Sequence, residues 1–310
     1  MNLTGKNLEF KHKNRSDPGV VILLMFLCLF SFFLLKGVLT GQIVSPWKPT
    51  AIPTRDAASY AMEAEAQFVA GNLEKAVEAY QAAANLEPTN PEYIWKQGRA
   101  LAYMTASQTT DMEKKETLEK AIKLLESSLE TFKENSDIYA VLAMVYLWYA
   151  DKDICGADMV ETNMATAESY IRRAVDYGPR NAMAYAFYSE ILLDQANYER
   201  AEQMLSQALE YGTANGSDMF DVYRVQGNLL ESYGQYRSAI DAYNRALALS
   251  PNMTFLQIRI GVNWRQIQEY DAALEMFSKA ARINDQLGIN DPLPYLAIGN
   301  TYSQTGDFYA

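Results

Sequence analysis

The chain of 310 residues contains a single histidine, His12, which lies in a basic N-terminal tail. Imidazole is the side chain most often used as a general base and the commonest metal ligand in proteins. The rest of the chain therefore offers no Ser-His triad and no histidine metal site. Carboxylate pairs alone can support glycosidase chemistry, but no pair stands out among the many surface acids. We expect no enzyme activity, no catalytic residues and no small-molecule substrate.

Cysteines and basic residues are also scarce. Cys28 lies in an apolar run and Cys155 far from it, so a disulfide between them is implausible, and no CxxC spacing exists. Residues 42–310 hold 22 Lys and Arg against 36 Asp and Glu, a net charge of −14. Such a surface repels phosphate backbones. We therefore expect no cofactor, no metal and no nucleic-acid partner.

One acidic segment needs separate consideration as a calcium loop. Asp151 and Asp153 begin such a loop at the expected spacing. Cys155 then replaces an oxygen ligand, and Thr162 stands where the bidentate glutamate belongs. We interpret residues 151–163 as a solvated acidic loop.

Residues 19–35 form an apolar run without a charge, and Gly37–Leu39 extend it if the Lys36 ammonium reaches the membrane interface. An apolar helix of about 20 residues crosses a bilayer. We predict a transmembrane helix at residues 19–41, preceded by a short basic tail at residues 1–18. The basic bias before the helix favours a cell-membrane protein with a cytoplasmic N-terminus and an extracytoplasmic remainder. A cleaved signal peptide and a secreted protein are the alternative, with an unusually long apolar core.

Residues 42–56 contain Pro46, Pro49 and Pro53. Each proline disfavours a helix at the residue before it. The segment is predicted to be a semi-extended linker between the anchor and the rest of the chain.

From residue 57 onwards a helical pattern recurs with a base period of 34 residues. Small residues mark the first helix of each unit. These markers are Ala64, Gly98, Ala143, Ser189, Gly227, Gly261 and Gly299. Alanines mark the second helix, each followed four residues later by an aromatic or aliphatic residue. These alanines are Ala76, Ala121, Ala167, Ala201, Ala239 and Ala273.

This pattern resembles the tetratricopeptide repeat family, whose unit is a 34-residue helix–turn–helix. The resemblance covers residues 57–310 and implies an all-α, right-handed superhelical solenoid preceded by the transmembrane helix. Six repeats are predicted at residues 57–90, 91–134, 135–181, 182–219, 220–253 and 254–291, with an incomplete seventh at 292–310. Two units carry insertions around residues 105–115 and 151–164, which we place on one edge of the stack.

The markers are expected in the core, and function is expected from first-helix side chains that point into the concave groove. Aromatic and Arg side chains supply contact area, and Asn satisfies peptide backbone groups. The predicted groove residues are Trp95, Arg99, Tyr103, Met144, Trp148, Arg224, Asn228, Phe255, Val262 and Asn300. The two tryptophans have a second interpretation, packing against helices that the insertions lengthen.

The repeat array, the apolar anchor and the lack of a catalytic constellation together predict a membrane-anchored scaffold for protein–protein interaction, which binds a peptide segment or assembles an envelope complex. Some family members hold a C-terminal carboxylate through a clamp of Lys and Asn residues. Arg224 and Asn228 stand where the first pair of that clamp falls, but Leu293 and Ala297 occupy later positions, so the set is incomplete. The alternative is an accessory repeat region of a longer protein with an enzymatic or sensory domain, suggested by the incomplete last unit.

Overall fold

The structure is a computed structural model that describes residues 17–40, 55–215 and 219–306. It divides into two compact units, residues 1–54 and 55–310. Most of the predicted basic tail and linker, together with His12, lies outside the described residues. In the first unit, helix α1 spans Pro18–Leu39, and Asp17 caps its N-terminus by accepting a hydrogen bond from the Gly19 N–H.

Helix α1 is a candidate membrane span on length and composition. It has 22 residues, or a length of about 33 Å, which matches the apolar thickness of a bilayer. The segment Pro18–Val38 is the only such candidate in the described part of the chain, and a signal sequence passes the same test. The coarse prediction of an apolar N-terminal helix is therefore confirmed, whereas topology and cleavage stay predictions.

The second unit is helical throughout its described residues and contains no strand there. Most successive helices pack against each other. The helices are α2 Ala57–Val69, α3 Leu73–Leu86, α4 Pro91–Met104, α5 Asp111–Ser128, α6 Ser136–Tyr149, α7 Lys152–Cys155, α8 Val160–Tyr177, α9 Ala182–Asp194, α10 Tyr198–Asn215, α11 Phe220–Ser232, α12 Tyr236–Leu249, α13 Thr254–Gln266, α14 Tyr270–Leu287 and α15 Leu293–Thr305.

Local sequence signals fix where these helices begin. Asn90, Asn135 and Asn181 precede α4, α6 and α9, and each accepts a hydrogen bond from a backbone N–H of the first turn. Such caps satisfy donors that have no partner inside the helix. Thr110 and Glu113 form a reciprocal capping box at the start of α5.

The turns between paired helices place one residue in the left-handed region. Gly71 and Gly234 have φ values of 76° and 70°, and Ala196 and Gln268 have 55° and 63° at the equivalent turns. Glycine adopts this conformation without a steric penalty, and the two other residues adopt it at some cost. In these four helix pairs the chain therefore reaches the second helix through the same turn conformation.

The small markers let the paired helices approach closely. A Cβ placed on Gly227 would lie 2.2 Å from the Tyr243 ring, and one on Gly261 would lie 2.4 Å from the Phe277 ring. Both rings are buried. Gly299 has the same place in α15, but a Cβ there would meet nothing within 4 Å. The last helix therefore keeps an open face in the described structure.

The two insertions lengthen the second helices of their units. Helices α5 and α8 begin ten and seven residues before their marker alanines Ala121 and Ala167, whereas α3, α10, α12 and α14 begin three residues before theirs. The short helix α7 and a 3-10 turn at Thr105–Ser107 complete the added segments. Asp151, the first residue of the proposed acidic loop, caps α7 by accepting a hydrogen bond from the Asp153 N–H at 2.9 Å.

Candidate functional site

The inner side of the second unit is formed by the first helices of successive pairs, since α4 contacts α6, α6 contacts α9 and α9 contacts α11. An open cavity of about 770 Å³, which we call cavity A, lies on this side. Its lining mixes aromatic, apolar, acidic and basic side chains. The residues are Thr105, Lys114, Leu147, Trp148, Ala150, Asp151, Ile154, Glu190, Leu193, Asp194, Tyr198, Asn228, Glu231, Ser232 and Arg259.

Both insertions contribute to cavity A. Thr105 and Lys114 come from the first insertion, and Asp151 and Ile154 come from the second. The two added segments thus meet at one rim of the cavity, and α5 contacts α7 directly. The irregular units of the array are the ones that shape this cavity.

Acidic side chains outnumber basic ones around cavity A. Partial burial, followed by the carboxylates of Glu190 and Asp151, raises the pKa of Asp194 above its ordinary value. Carboxylates therefore repel one another on the Asp194 side of the cavity.

A buried ion pair lies beside cavity A, and its carboxylate partner Glu190 lines the cavity. The Arg224 guanidinium donates two hydrogen bonds to Glu190, from Nη1 to Oε1 and from Nη2 to Oε2, both at 2.6 Å. Its Nε also donates to the Tyr103 hydroxyl at 2.8 Å. Since Arg224 is buried beside the Glu190 carboxylate, its pKa stays well above the ordinary value despite desolvation. Bidentate pairs of this kind are the strong form of the arginine–carboxylate contact.

The contacts continue from Tyr103 to a second buried pair. The Tyr103 hydroxyl donates to Asp221 Oδ1, and Arg99 Nη1 donates to Asp221 Oδ2 at 2.9 Å. Burial and the Asp221 charge raise the pKa of Tyr103, so the hydroxyl keeps its proton. We call Arg99, Tyr103, Asp221, Arg224 and Glu190 the buried ion network.

Aromatic rings enclose the buried ion network. The Tyr103 ring stacks on Phe255 at 5.5 Å, and it meets Phe220 and Trp148 edge-on at 5.6 and 5.4 Å. The Arg224 guanidinium lies 5.5 Å from the Trp148 ring centre. These contacts exclude water from the charges and strengthen their mutual attraction.

A second network lies at the far wall of cavity A and is more exposed. The Tyr243 hydroxyl donates to Asn228 Oδ1 at 2.8 Å, and Asn228 donates to Glu190 at 3.3 Å. Arg259 Nε lies 3.4 Å from Glu231 Oε2. Asn228 is therefore held between the buried network and the wall of the cavity, with its amide oriented by both neighbours.

A smaller cavity of about 480 Å³, cavity B, opens at the other end of the buried ion network. Its lining is Glu65, Glu92, Trp95, Lys96, Arg99, Asp137, Asn181, Ala182 and Met183. Arg99 lines cavity B and Glu190 lines cavity A, so the network runs from one cavity to the other. Burial raises the pKa of Asp137 at this mouth.

The structure distributes the ten predicted groove residues over three environments. Trp148 and Asn228 line cavity A, and Trp95 and Arg99 line cavity B. The other six line neither cavity. Tyr103, Met144 and Arg224 are buried, Phe255 and Val262 are partly buried, and Asn300 is exposed.

Tyr103, Met144 and Arg224 are therefore enclosed by other side chains, and Arg99 is largely buried in the lining of cavity B. The reason is that helices far apart in sequence, α4 and α11, pack their side chains against each other across the inner side. The role of the ten residues in binding a peptide stays a prediction.

Glu190 and Asp221 were not among the predicted residues. Both carboxylates are buried and each compensates an arginine. A signal for Glu190 exists in the sequence, because it is the one charged residue inside the otherwise apolar segment 182–193. A lone acid in an apolar helix requires a buried partner.

Residues 162–218 and 224–287 match the family model described as Tetratricopeptide repeat. These two segments therefore resemble tetratricopeptide repeats. The matched segments contain all of α9, α10, α12, α13 and α14, and most of α8 and α11.

Solved structures share the fold, and the first of them is described as a tetratricopeptide repeat protein. A thermophilic protein of Thermus thermophilus is 17% identical with a TM-score of 0.51, over 67% of this chain and 99% of its own. A chain of the APC/C hetero-tetramer Cut9–Hcn1 is 13% identical with a TM-score of 0.52, over 79% of this chain and 43% of its own. Human IFIT1, in a dimer with PPP-AAAA, is 16% identical with a TM-score of 0.53, over 83% and 66%. A comparison with curated proteins gives no match.

At these identities the likeness establishes the fold and leaves the ligand open. The described part of the second unit is an all-helical solenoid of tetratricopeptide type. Repeats of this type generally act as scaffolds for protein–protein interaction, and this chain has the fold for that role.

Proposed function

We propose that this chain is a membrane-anchored scaffold that holds a peptide segment of a partner protein in cavity A. The main support for this proposal is a cavity of about 770 Å³ on the inner side, which residues from both insertions line. This volume lies within the range of about 300–1,000 Å³ that is usual for ligand pockets. Sequence insertions in repeat proteins commonly lie at the binding face.

The lining of cavity A suits a peptide. Trp148 and Tyr198 offer flat apolar surface, and Asn228 and Ser232 offer hydrogen-bonding groups beside them. Aromatic side chains are enriched at the centre of protein interfaces, and amides satisfy backbone groups of an extended chain. Asn228 is already oriented by Tyr243 and Glu190, so little side-chain entropy is lost on binding.

Anchoring in the membrane is the second part of the proposal. Helix α1 exposes apolar side chains along most of its length, as a lipid-facing helix does. A single span of this kind would keep the repeats at the membrane surface, and the charge bias of the sequence favours the extracytoplasmic side.

Site-specific photocrosslinking tests the cavity assignment in cells that express the full chain. A photoreactive phenylalanine analogue replaces Tyr198, which lines cavity A, or Tyr177, which lies outside it; the two are 42% and 44% exposed. We expect a crosslinked partner peptide from position 198 in the membrane fraction and none from position 177. Adding Ser232→Arg should fill the cavity and remove the crosslink. Equal yields at both positions would contradict the assignment.

A further inference from the structure

Contacts that join distant repeats are the unusual feature of this solenoid. In repeat proteins each unit normally contacts only its neighbours in sequence. Here Arg99 of α4 and Asp221 of α11 are 122 residues apart and form a buried ion pair at 2.9 Å. Tyr103 and Arg224 repeat the connection between the same two helices. The second unit therefore closes on itself across its inner side.

A second long-range contact lies between two turns. The Asn252 amide donates a hydrogen bond to the Ala70 carbonyl at 3.2 Å, over 182 residues of sequence. A Cβ on Gly71 would lie only 2.5 Å from the Asn252 carbonyl oxygen, so the turns touch where Gly71 has no side chain. The α2–α3 turn and the α12–α13 turn are thus in direct contact.

We infer that the buried ion network and this turn contact act as a latch, which holds the inner side closed and opens as a unit to expose a wider peptide groove. The repeats keep their neighbour-to-neighbour packing whether or not the latch is formed. Breaking it would therefore separate distant repeats without unfolding them.

The latch combines ions with aromatic rings, since Phe68 and Tyr103 meet the Phe220 ring across the same seam at 5.9 and 5.6 Å. Buried ions lose their hydration, and this loss offsets much of their mutual attraction. On opening, the four charged side chains regain water, which offsets part of the loss of the aromatic contacts. Opening would also expose Arg99, Tyr103 and Arg224 along the inner side, where the repeat pattern predicts groove residues. This consequence rests on the proposed peptide binding, but the latch itself does not.

Distance measurements between spin labels test the latch without any partner. Labels are attached to cysteines at Lys75 in α3 and Ala248 in α12, which are exposed, after Cys28 and Cys155 are replaced by serine. Asp221→Lys places a third cation beside Arg99 and Arg224. We expect its distance distribution to broaden and shift to longer values while helical circular dichroism is retained. Asp241→Lys makes the same charge change at an exposed position and should leave the distribution narrow.

A milder variant keeps the test decisive if Asp221→Lys loses its helical signal. Tyr103→Phe retains the ring but removes the hydroxyl that joins Asp221 to Arg224. Its distribution of label-to-label distances should contain the population of the parent chain and a second population at longer distances. Unchanged distances in a helical Asp221→Lys chain, or in Tyr103→Phe when the first variant unfolds, would overturn the latch. Neither result bears on crosslinking at position 198, so the two proposals fail separately.

Discussion

Two ion pairs on the inner side make the same kind of contact in very different surroundings. Each joins an arginine to a glutamate of the preceding first helix. The pair Arg224–Glu190 is bidentate at 2.6 Å, with side chains 4% and 11% exposed. The pair Arg259–Glu231 has a closest approach of 3.4 Å, with side chains 46% and 20% exposed. Neighbouring repeats thus present one enclosed pair and one open pair.

The difference comes from what lies opposite each pair. Helix α4 covers Arg224 with Tyr103, whereas Arg259 faces the open volume of cavity A. Local repeat geometry therefore does not decide the environment of an inner-side residue. The contacts between α4 and α11 decide that environment. They divide the inner side into an enclosed region around the buried ion network and an open region that includes cavity A and α15.

Replacement of each arginine by methionine gives the largest expected contrast. Arg224→Met leaves Glu190 buried without its cation, and removing one partner of a buried pair costs about 3–5 kcal/mol in the free energy of unfolding. Arg259→Met breaks a partly exposed pair, which contributes about 1 kcal/mol or less. Equilibrium urea unfolding of both variants, followed by circular dichroism, measures the difference. Equal losses would show that enclosure does not separate the two regions energetically.

Glycine-to-alanine substitutions compare helix packing in the enclosed region with helix packing in the open region. In Gly227→Ala the new Cβ would lie 2.2 Å from the Tyr243 ring, and overpacking of this kind costs about 1–3 kcal/mol. In Gly299→Ala the Cβ meets nothing, so the higher helix propensity of alanine stabilises the chain by up to about 1 kcal/mol.

The two glycine variants should therefore shift the thermal midpoint in opposite directions. Differential scanning calorimetry measures both shifts, and Gly261→Ala, beside the Phe277 ring, serves as a second enclosed case. A loss of stability in Gly299→Ala would mean that α15 is covered in solution.

Much of the fold could be predicted because repeat periodicity specifies contacts between neighbours. The spacing of Gly227 to Tyr243 and of Gly261 to Phe277 predicts close helix pairs, and the structure packs both rings on their glycines. The insertions were also placed on a common edge, and Thr105 and Asp151 do line the same cavity. These features depend on local spacing, which a single sequence displays directly.

The closure of the inner side could not be predicted in the same way. It depends on the sum of small rotations between successive repeats, and no spacing in the sequence records that sum. Arg99 and Arg224 therefore looked like groove residues, although each is buried against a carboxylate. One feature of the sequence does indicate buried charge pairing on the inner side. Glu190 is the one charged residue in segment 182–193, and a lone acid in such a helix requires a buried partner.

The smallest expected effect concerns Asp194 in the open region, and it has a definite sign. Partial burial and the Glu190 and Asp151 carboxylates raise the pKa of Asp194 in the folded chain, so its protonated form is favoured there. That stabilisation is present below the unfolded-state pKa of about 3.9 and is lost as the pH rises through the folded-state pKa. Because the described residues provide no hydrogen bond or ion pair to its side chain, Asp194→Asn removes repulsion without breaking a contact.

This variant should therefore be more stable than the parent at pH 7, by no more than about 0.5 kcal/mol, as is usual for surface substitutions. The difference should vanish towards pH 3, where Asp194 is neutral in both states. Urea unfolding at the two pH values measures the change. Asp241→Asn on the exposed face of α12 controls for loss of a charge alone. A destabilised Asp194→Asn at pH 7 would instead indicate that the carboxylate has a stabilising partner, which would contradict the repulsion inferred between Asp194 and the neighbouring carboxylates.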